Sequence, residues 1–305
     1  MLDVLIFLGI LAGIFLLWVA IYDTTRFVKM SYIVKDPQFT SPFRIMFLTD
    51  LHNKCYGKKN GRLLQSILEQ RPDAILIGGD MITMSGKYKT QHALSLLQEL
   101  ARDFQIYYVK GNHEQRQSYT ERDKAHSVDE YWRTLRELGI HFLENQSKQL
   151  EGTPIKLYGL ELDRYYYKRG RCPKMASDYL TTMVGEPPAE GYHVLLAHHP
   201  AYLKQYAAWG ADLVLSGHIH GGIVRIPGWR GILSPAVTFF PKYDGGLFTE
   251  GKTSMILSRG IGYHGIPFRL FNPNELVIVT FQGTSNDAGD DTNETSVCLE
   301  KNPHM

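Results

Sequence analysis

The stretch Ile75-Leu-Ile-Gly-Gly-Asp80 decides the fold, because it has the pattern of a short buried strand that ends on a carboxylate. Apolar runs of this length that stop at turn residues are typical of strands in a parallel sheet. In open α/β sheets, ligands bind beside the loops at the carboxyl ends of the strands. Gly78 and Gly79 let the backbone turn there without a side chain in the way. The stretch therefore predicts that Asp80 lies at the mouth of a binding site, where its two carboxylate oxygens can each hold a cation.

The composition is that of an ordinary globular chain of 305 residues, with 44% hydrophobic and 21% charged residues. A length of this order accommodates one large α/β domain or two small ones. The net charge of +2 gives no indication of nucleic-acid binding, so no nucleic-acid partner is expected. Cys55, Cys172 and Cys298 are odd in number and lack the spacing of a metal site, which gives no support to a disulfide-stapled fold.

The amino-terminal segment predicts a membrane anchor. Residues 4–22 carry no charge, and as a helix they are roughly 28 Å long, close to the ~30 Å hydrocarbon core of a bilayer. Trp18 and Tyr22 fall where an interfacial aromatic belt is expected. The alternatives are a buried soluble helix and a cleaved signal peptide, although the segment lacks the basic start and cleavage site of the latter. Basic residues follow the span and none precedes it, which favours a single-pass protein whose remaining chain is cytoplasmic.

The rest of the chain is expected to fold as one domain with short flanking segments. Apolar runs alternate with amphipathic stretches over residues 43–282, which predicts a βαβ-type domain after the anchor of residues 1–22. Residues 23–42 are expected to form a linker and a first strand, and the polar residues 283–305 a disordered tail. The basic and aromatic segment 163–174 is either a solvated loop or a cap or membrane-surface patch.

Five predicted strands end on potential metal ligands. One Gly-Asp or Gly-His pair is usually a turn, whereas five such strand ends in one chain are hard to explain as turns. Together they offer carboxylate, amide and imidazole groups, which are the donors that borderline divalent cations take. Side chains two positions apart leave a strand end on the same face. The segments are Asp50-x-His52, Gly79-Asp80, Gly111-Asn-His113, His198 and Gly217-His-x-His220.

In this order the five segments resemble the signature of the calcineurin-like metallophosphoesterases, over residues 43 to about 281. The resemblance implies a four-layer α/β/β/α sandwich of two mixed sheets flanked by helices, here with an N-terminal transmembrane helix. It also implies two divalent metal ions (Mn, Fe, Zn or Co) that share Asp80. One ion would be held by Asp50, His52, Asp80 and His220, and the other by Asp80, Asn112, His198 and His218. His113 matches the histidine that protonates the leaving group without binding metal.

The activity that the resemblance implies is hydrolysis of a phosphodiester or pyrophosphate bond by a hydroxide that the two ions share. The anchor, Tyr243-Asp-Gly-Gly246 and Ser258-Arg-Gly-Ile-Gly262 are similar to the membrane-anchored bacterial subgroup that includes UDP-2,3-diacylglucosamine pyrophosphatases. We therefore expect a membrane-associated or lipid-linked substrate. Arg116 and Arg259 are candidates to hold a second phosphate, or else surface arginines. The alternatives are an envelope-polymer phosphodiesterase, a general phosphomonoesterase and a non-catalytic metal-binding scaffold, and the complete ligand set favours an enzyme.

Overall fold

The computed structural model describes residues 1–83, 90–117, 122–168, 172–234, 239–263, 265, 267–284 and 295–300, and of residues 117 and 122–127 the backbone only. The helices of this part of the chain are α1 (Leu2–Thr25), α2 (Gly61–Gln70), α3 (Gln91–Leu100), α4 (Asn112–Gln117), α5 (Arg122–Glu137), α6 (Tyr179–Val184) and α7 (Leu203–Trp209). Short 3-10 turns lie at Lys58–Asn60, Arg164–Tyr167 and Pro200–Tyr202.

The strands are β1 (Phe27–Lys35), β2 (Phe43–Leu48), β3 (Ala74–Ile77), β4 (Gln105–Tyr108), β5 (His141–Phe142), β6 (Gln146–Gln149), β7 (Ile155–Leu160), β8 (Tyr192–Ala197), β9 (Leu213–Ser216), β10 (Val224–Arg225), β11 (Gly231–Leu233), β12 (Gly246–Glu250), β13 (Thr253–Leu257), β14 (Asn274–Gln282) and β15 (Ser296–Leu299). One mixed sheet has the order β15-β1-β14-β2-β3-β4-β5, and the other has the order β12-β13-β9-β8-β7-β6. The strands β10 and β11 form a separate hairpin.

The two sheets pack face to face because their strands alternate between two apolar faces. On β2, Ile45 and Phe47 point into the core between the sheets, whereas Met46 and Leu48 point outward against α2, α3 and α5. On β8, Val194 and Leu196 face the same central core, and the outer face of that sheet packs on α6 and α7. This four-layer α/β/β/α arrangement confirms the predicted fold class.

The parallel strands of each sheet place their carboxyl ends at one edge. In the first sheet, β2, β3 and β4 run parallel, with Phe47 opposite Leu76 and Ile77 opposite Tyr108. In the second sheet, β8 and β9 run parallel to β7 and β13. All five predicted ligand segments follow strands of these two groups, so the fold brings them to a common edge.

Helix α1 is long and apolar enough to cross a membrane, at 24 residues or about 36 Å. Most of it is exposed, and only its last turns touch the domain, through Val19, Ala20, Asp23 and Thr24. The segment that we expected to hold a linker and a first strand contains β1, which lies between β15 and β14 near one edge of the first sheet. A single residue, Arg26, separates α1 from β1, so the helix leads directly into the sheet.

The predicted disorder of the carboxyl-terminal tail is wrong for residues 296–299. These residues form β15, which pairs antiparallel with β1, so that Ile33 lies opposite Cys298 and Val34 opposite Val297. Val34 and Val297 belong to the central core or pack against it, and this contact outweighs the polar composition of the tail. Residues 285–294 and 301–305 of the predicted tail lie outside the described residues.

Candidate metal centre

The structure brings the predicted site residues together at the shared edge of the two sheets. Three segments come from the first sheet, after β2, β3 and β4, and two come from the second, after β8 and β9. Seven of the eight side chains are buried, and His218 is partly exposed. The eight residues are Asp50, His52, Asp80, Asn112, His113, His198, His218 and His220.

The first group of possible metal ligands consists of Asp50, His52 and His220, whose donor atoms all lie within 4.8 Å of one another. The Nε2 atoms of His52 and His220 are 3.1 Å apart. The Oδ1 atom of Asp50 lies 3.2 Å from Nε2 of His220 and 3.9 Å from Nε2 of His52. Two imidazole nitrogens and a carboxylate oxygen therefore point at one small volume, as ligands of a single cation do.

The second group consists of Asp80, His198 and His218, again with donor atoms within 4.8 Å. The Oδ2 atom of Asp80 lies 3.3 Å from Nε2 of His198 and 4.0 Å from Nε2 of His52, so Asp80 borders both groups. The side-chain oxygen of Asn112 and Nε2 of His198 are buried without a hydrogen-bond partner in the described part of the chain. Buried polar atoms of this kind normally have a partner, and a divalent cation provides one for each.

His198 shows how the backbone selects the nitrogen that faces the site. Its Nδ1 lies 2.7 Å from the carbonyl oxygen of Gly78, which can only accept a hydrogen bond. Nδ1 therefore carries the proton, and Nε2 is directed at Asp80. This arrangement suits cation binding. When Nε2 carries no proton, its lone pair is directed into the site.

The electrostatics of the site are those of carboxylates surrounded by imidazoles. Burial lowers the pKa of His52 and His218 well below the usual range, so both rings are neutral and available as ligands. Burial opposes ionisation of Asp80, but the electrostatic effect of the neighbouring imidazoles, that of His198 above all, outweighs burial and holds the pKa of Asp80 well below its usual range. Burial likewise disfavours charge on His198, yet Asp80 and Asp50 raise its pKa to about 10. A cation at this point would compete with that proton for Nε2.

His113 lies beside the same carboxylate. Its backbone N–H donates to Oδ1 of Asp80 at 2.8 Å, and its ring centroid is 4.8 Å from that of His52. One ring nitrogen lies within 4.8 Å of donor atoms of His52 and Asp80. By distance alone His113 suits either a ligand or a proton donor, and the resemblance assigns it the second role.

The ligand loops adopt a strained backbone. Five of the eight residues have a positive φ, between 48° and 75°. This left-handed region is uncommon for residues other than glycine and is concentrated at functional sites. Hydrogen bonds hold it in place: the carboxylate of Asp50 accepts the backbone N–H of His218 at 3.0 Å. A Cβ at Gly217 would lie 2.2 Å from Oδ2 of Asp50, so only glycine fits there. The five residues are Asp50, His52, Asp80, His218 and His220.

Glu114 is a positioning residue to which our sequence analysis gave no role. Its carboxyl oxygens accept the backbone N–H groups of Asp80 at 2.7 Å, Met81 at 2.7 Å and Gly111 at 2.9 Å, and the hydroxyl of Tyr108 at 3.0 Å. Burial and the charge of Asp80 raise the pKa of Glu114, whereas the hydrogen bond from the backbone N–H of Asp80 lowers it. Through these contacts, Glu114 ties the loop after β3 to the loop after β4.

We expect Glu114→Gln to destabilise the protein by about 1–3 kcal/mol, because the amide has only one acceptor oxygen and leaves a buried N–H without a partner. Urea denaturation measures the free energy of unfolding. The control is Glu137→Gln, whose exposed side chain lies 3.8 Å from Arg133 and should change stability by less than about 0.5 kcal/mol. Equal stability of Glu114→Gln and wild type would contradict the positioning role.

Other neighbours of the site also lacked a local sequence signal. The side-chain amide of Asn272 donates to the backbone carbonyl of His220 at 2.8 Å, and the buried guanidinium of Arg269 lies 3.3 Å from the same oxygen. The ring of Tyr167, within the basic and aromatic segment, lies 5.3 Å from that of His218. Of that segment, residues 169–171 lie outside the described residues. The contact of Tyr167 with His218 shows that at least one residue of the segment lines the site.

The two arginines proposed for a second phosphate have different surroundings. Arg259 forms a close ion pair with Glu275, and its backbone N–H donates to the same carboxylate at 2.8 Å, so it has a structural partner. Arg116 is partly exposed near the end of α4, where its charge helps to lower the pKa of His113, after the larger effect of burial. Arg259 therefore has a structural partner already, and both arginines stay candidates to hold a second phosphate.

Comparison with known proteins identifies relatives of the chain. Residues 43–222 match the family described as calcineurin-like phosphoesterase. Phosphodiesterase YaeI of Escherichia coli (strain K12) is 30% identical over 225 residues, which cover 73% of this chain and 76% of that protein. The uncharacterized metallophosphoesterase YkuE of Bacillus subtilis (strain 168) is 24% identical over 280 residues, 87% of each chain.

A vertebrate protein is also similar. The transmembrane protein with metallophosphoesterase domain of Danio rerio is 27% identical over 259 residues, which cover 82% of this chain and 55% of that protein. The chain thus spans about half the length of this relative.

Proposed function

This chain belongs to the calcineurin-like phosphoesterases and is a hydrolase of phosphoesters, and we propose that it cleaves a phosphodiester or pyrophosphate bond at two divalent metal ions. The observation that carries the proposal is the position of Asp80 between two groups of donor atoms, which is where a carboxylate shared by two ions belongs. Asp50, His52, Asp80 and His220 would hold one ion, and Asp80, Asn112, His198 and His218 the other.

When bound, the two ions supply positive charge that acidifies a water molecule and neutralises the phosphate oxygens. The side chains of the site would orient the ions and the phosphate and, since most of them are buried, limit the access of bulk water. Asp80, Glu114 and Gly78 fix the loops through backbone hydrogen bonds, so the donor atoms are already in place before substrate arrives. The ions are Mn, Fe, Zn or Co, since mixed nitrogen and oxygen sites accept each of these metals.

His113 is proposed as the proton donor to the leaving group. Burial lowers the pKa of His113, which favours the neutral ring in the free protein. A phosphate bound beside the ring favours the charged form, because an anion within a few ångströms raises the pKa of a histidine. Substrate binding would therefore load the ring with the proton that the leaving group later needs.

A membrane-associated or lipid-linked substrate, such as UDP-2,3-diacylglucosamine, is supported by the direct connection of α1 to the catalytic domain. The carboxylate of Asp23 accepts the backbone N–H of Asn272 at 3.0 Å, and the hydroxyl of Thr24 accepts that of Arg269 at 3.0 Å. These residues lie next to His220, so the end of the apolar helix is close to the proposed metal centre. The single-pass anchor and the cytoplasmic position of the domain belong to this proposal.

An exposed aromatic loop supports contact of the domain with the membrane. In the hairpin of β10 and β11 and the residues after it, Trp229 and Phe240 are exposed with ring centroids 6.4 Å apart, and Arg230 lies over Trp229. The hairpin is also connected to the segment that holds the end of α1. The N–H of Arg225 donates to the carbonyl of Leu270 at 3.0 Å, and Leu270 follows Arg269, which is hydrogen-bonded to Thr24. Exposed aromatic and basic side chains suit the interface of an anionic bilayer.

The metal requirement predicts chelator-sensitive activity. With bis-p-nitrophenyl phosphate and added Mn²⁺, we expect EDTA to lower the rate about 100-fold or more and fresh Mn²⁺ to restore it. Ca²⁺ is the control, because it prefers sites made of oxygen ligands alone and should not restore the rate at a site that contains imidazole nitrogens. Undiminished hydrolysis in EDTA would contradict the metal-dependent reaction. Absence of activity on any phosphoester would favour the non-catalytic scaffold.

The same assay, extended to lipid-linked nucleotides, phospholipids and nucleotides in detergent, tests the substrate class. We expect cleavage at the pyrophosphate of UDP-2,3-diacylglucosamine. Rapid diester cleavage without hydrolysis of UDP-2,3-diacylglucosamine would overturn this assignment and favour the alternative of an envelope-polymer phosphodiesterase. The name of the Escherichia coli relative supports phosphodiester cleavage without indicating a substrate. Preference for terminal phosphates would favour a phosphomonoesterase.

A further inference from the structure

A cleft of about 950 Å³ lies between the end of helix α1 and the proposed metal centre. At one end it is lined by Thr24 and Thr25, the last residues of the apolar helix, and at the other by His52. The volume is in the range of small-molecule sites. The cleft therefore joins the place where the helix meets the domain to the place where the reacting phosphate would lie.

The charges along the cleft favour an anion. Among the described residues, those that line it include Lys54 and Arg62 and no aspartate or glutamate; they are Thr24, Thr25, His52, Asn53, Lys54, Cys55, Tyr56, Gly57, Arg62, Thr83, His92, Tyr263 and Pro267. A concave surface lined by one sign of charge raises the local concentration of the opposite ion. Nothing in the proposed metal chemistry uses these two side chains.

Lys54 is held in a fixed position within the cleft. Its ammonium donates to the hydroxyl of Tyr56 at 2.7 Å and to the carbonyl of Thr24 at 2.5 Å. It also lies 4.4 Å from the ring centroid of Tyr56 and 5.5 Å from that of Tyr263. An ammonium has three N–H donors, and these two hydrogen bonds leave one for a ligand.

The apolar surface at the mouth of the cleft is the exposed face of α1. Trp18, Ile21 and Tyr22 are about half exposed and lie within the two turns before Thr25. The amide of Asn274 donates to the carbonyls of Asp23, Thr24 and Arg26, so the helix end cannot turn away from the domain. An acyl chain lying along α1 would thus point its polar head into the cleft.

We propose that the cleft binds the head group of an anionic amphiphile, and that Lys54 and Arg62 bind a second anionic group, separate from the phosphate that reacts beside His52. This inference rests on the proposed phosphoesterase function and adds the ligand class and the residues that select it. The substrate is then a lipid with at least two negative charges in its head, held with its chain along α1.

The test compares three substrates of the 305-residue chain in detergent micelles. Bis-p-nitrophenyl phosphate has one charge, whereas dodecyl phenyl diphosphate and methyl phenyl diphosphate have two and differ only in chain length. For wild type, we expect kcat/KM to be at least tenfold higher for the dodecyl than for the methyl compound. In Lys54→Gln and in Arg62→Ala, we expect the ratio of kcat/KM for the dodecyl compound to that for the single-charge diester to fall about tenfold or more, as for loss of a charged hydrogen bond.

The matched control is Lys58→Ala, because Lys58 is an exposed lysine four residues from Lys54 that does not line the cleft. Its substrate ratio should equal that of wild type. Arg62 is exposed, so Arg62→Ala keeps the test valid even where Lys54→Gln folds poorly.

Three results would overturn the inference about the cleft: an unchanged ratio in Arg62→Ala, an equal loss on all substrates, or no effect of chain length in wild type. A wild-type protein that hydrolyses none of the three compounds with Mn²⁺ would instead contradict the proposed function itself. The two failures are therefore distinguishable.

Discussion

Asp80→Ala is expected to lower the turnover of bis-p-nitrophenyl phosphate by about 10³-fold or more and to release bound metal. The carboxylate of Asp80 lies 3.3 Å from Nε2 of His198 and 4.0 Å from that of His52, so both proposed ions lose a ligand at once. Metal ions contribute several kcal/mol of charge stabilisation, and each 1.36 kcal/mol corresponds to a tenfold change in rate. Steady-state kinetics and elemental analysis of the purified variant measure the two losses.

Two further variants test whether the loss of metal and activity comes from the missing negative charge of Asp80. Asp80→Asn keeps an oxygen that can accept the backbone N–H of His113 but removes the negative charge, and it should also lose metal and activity. Asp129→Asn removes an exposed carboxylate on α5 and should match wild type. Two bound ions and a full rate in Asp80→Asn would overturn the shared-ligand assignment.

His113→Ala is expected to keep the metal content of wild type and to lower turnover about 10²–10⁴-fold, which is the usual contribution of a general acid. The loss should depend on the leaving group. An alkoxide needs a proton far more than p-nitrophenolate does, so an alkyl diester should lose more rate than bis-p-nitrophenyl phosphate. Metal analysis and kinetics on both esters provide the measurement.

The control for His113 is His141→Ala, because His141 is an exposed histidine on β5 that stacks on Tyr107. It should leave both rate and metal content close to those of wild type. Loss of metal in His113→Ala would indicate that His113 is a ligand, a role that its distance from His52 and Asp80 also permits. A full rate would exclude both roles.

Much of the fold could be predicted because its information is local. The run from Ile75 to Asp80 is a buried strand followed by a turn, as its apolar residues and glycines indicate. The alternation of β2 places Ile45 and Met46 on opposite faces of the sheet, which is a direct consequence of strand geometry. Segments that end parallel strands converge at one edge, so the eight candidate residues meet although the chain separates them widely.

The remaining features depend on contacts between distant parts of the chain. The bond from Asn272 to Asp23 joins residues 249 positions apart, and no local pattern in either segment indicates it. β15 forms where β1 offers it an edge to pair with, and the polar residues around this short apolar run hid it from the sequence. Glu114 stands in a recognisable motif, but its role depends on which backbone N–H groups the fold directs at it.

The left-handed backbone of the ligand loops makes binding and stability compete. Each such residue costs roughly 1 kcal/mol, which is a sizeable part of the net stability of a typical domain. Glycine adopts a φ of 75° without strain, so at His218 a glycine would relieve that cost while removing a ligand. At His218, substitution by glycine would therefore relieve backbone strain at the expense of a proposed metal ligand. Only selection for the reaction keeps bulky side chains in a conformation that the polypeptide would otherwise abandon.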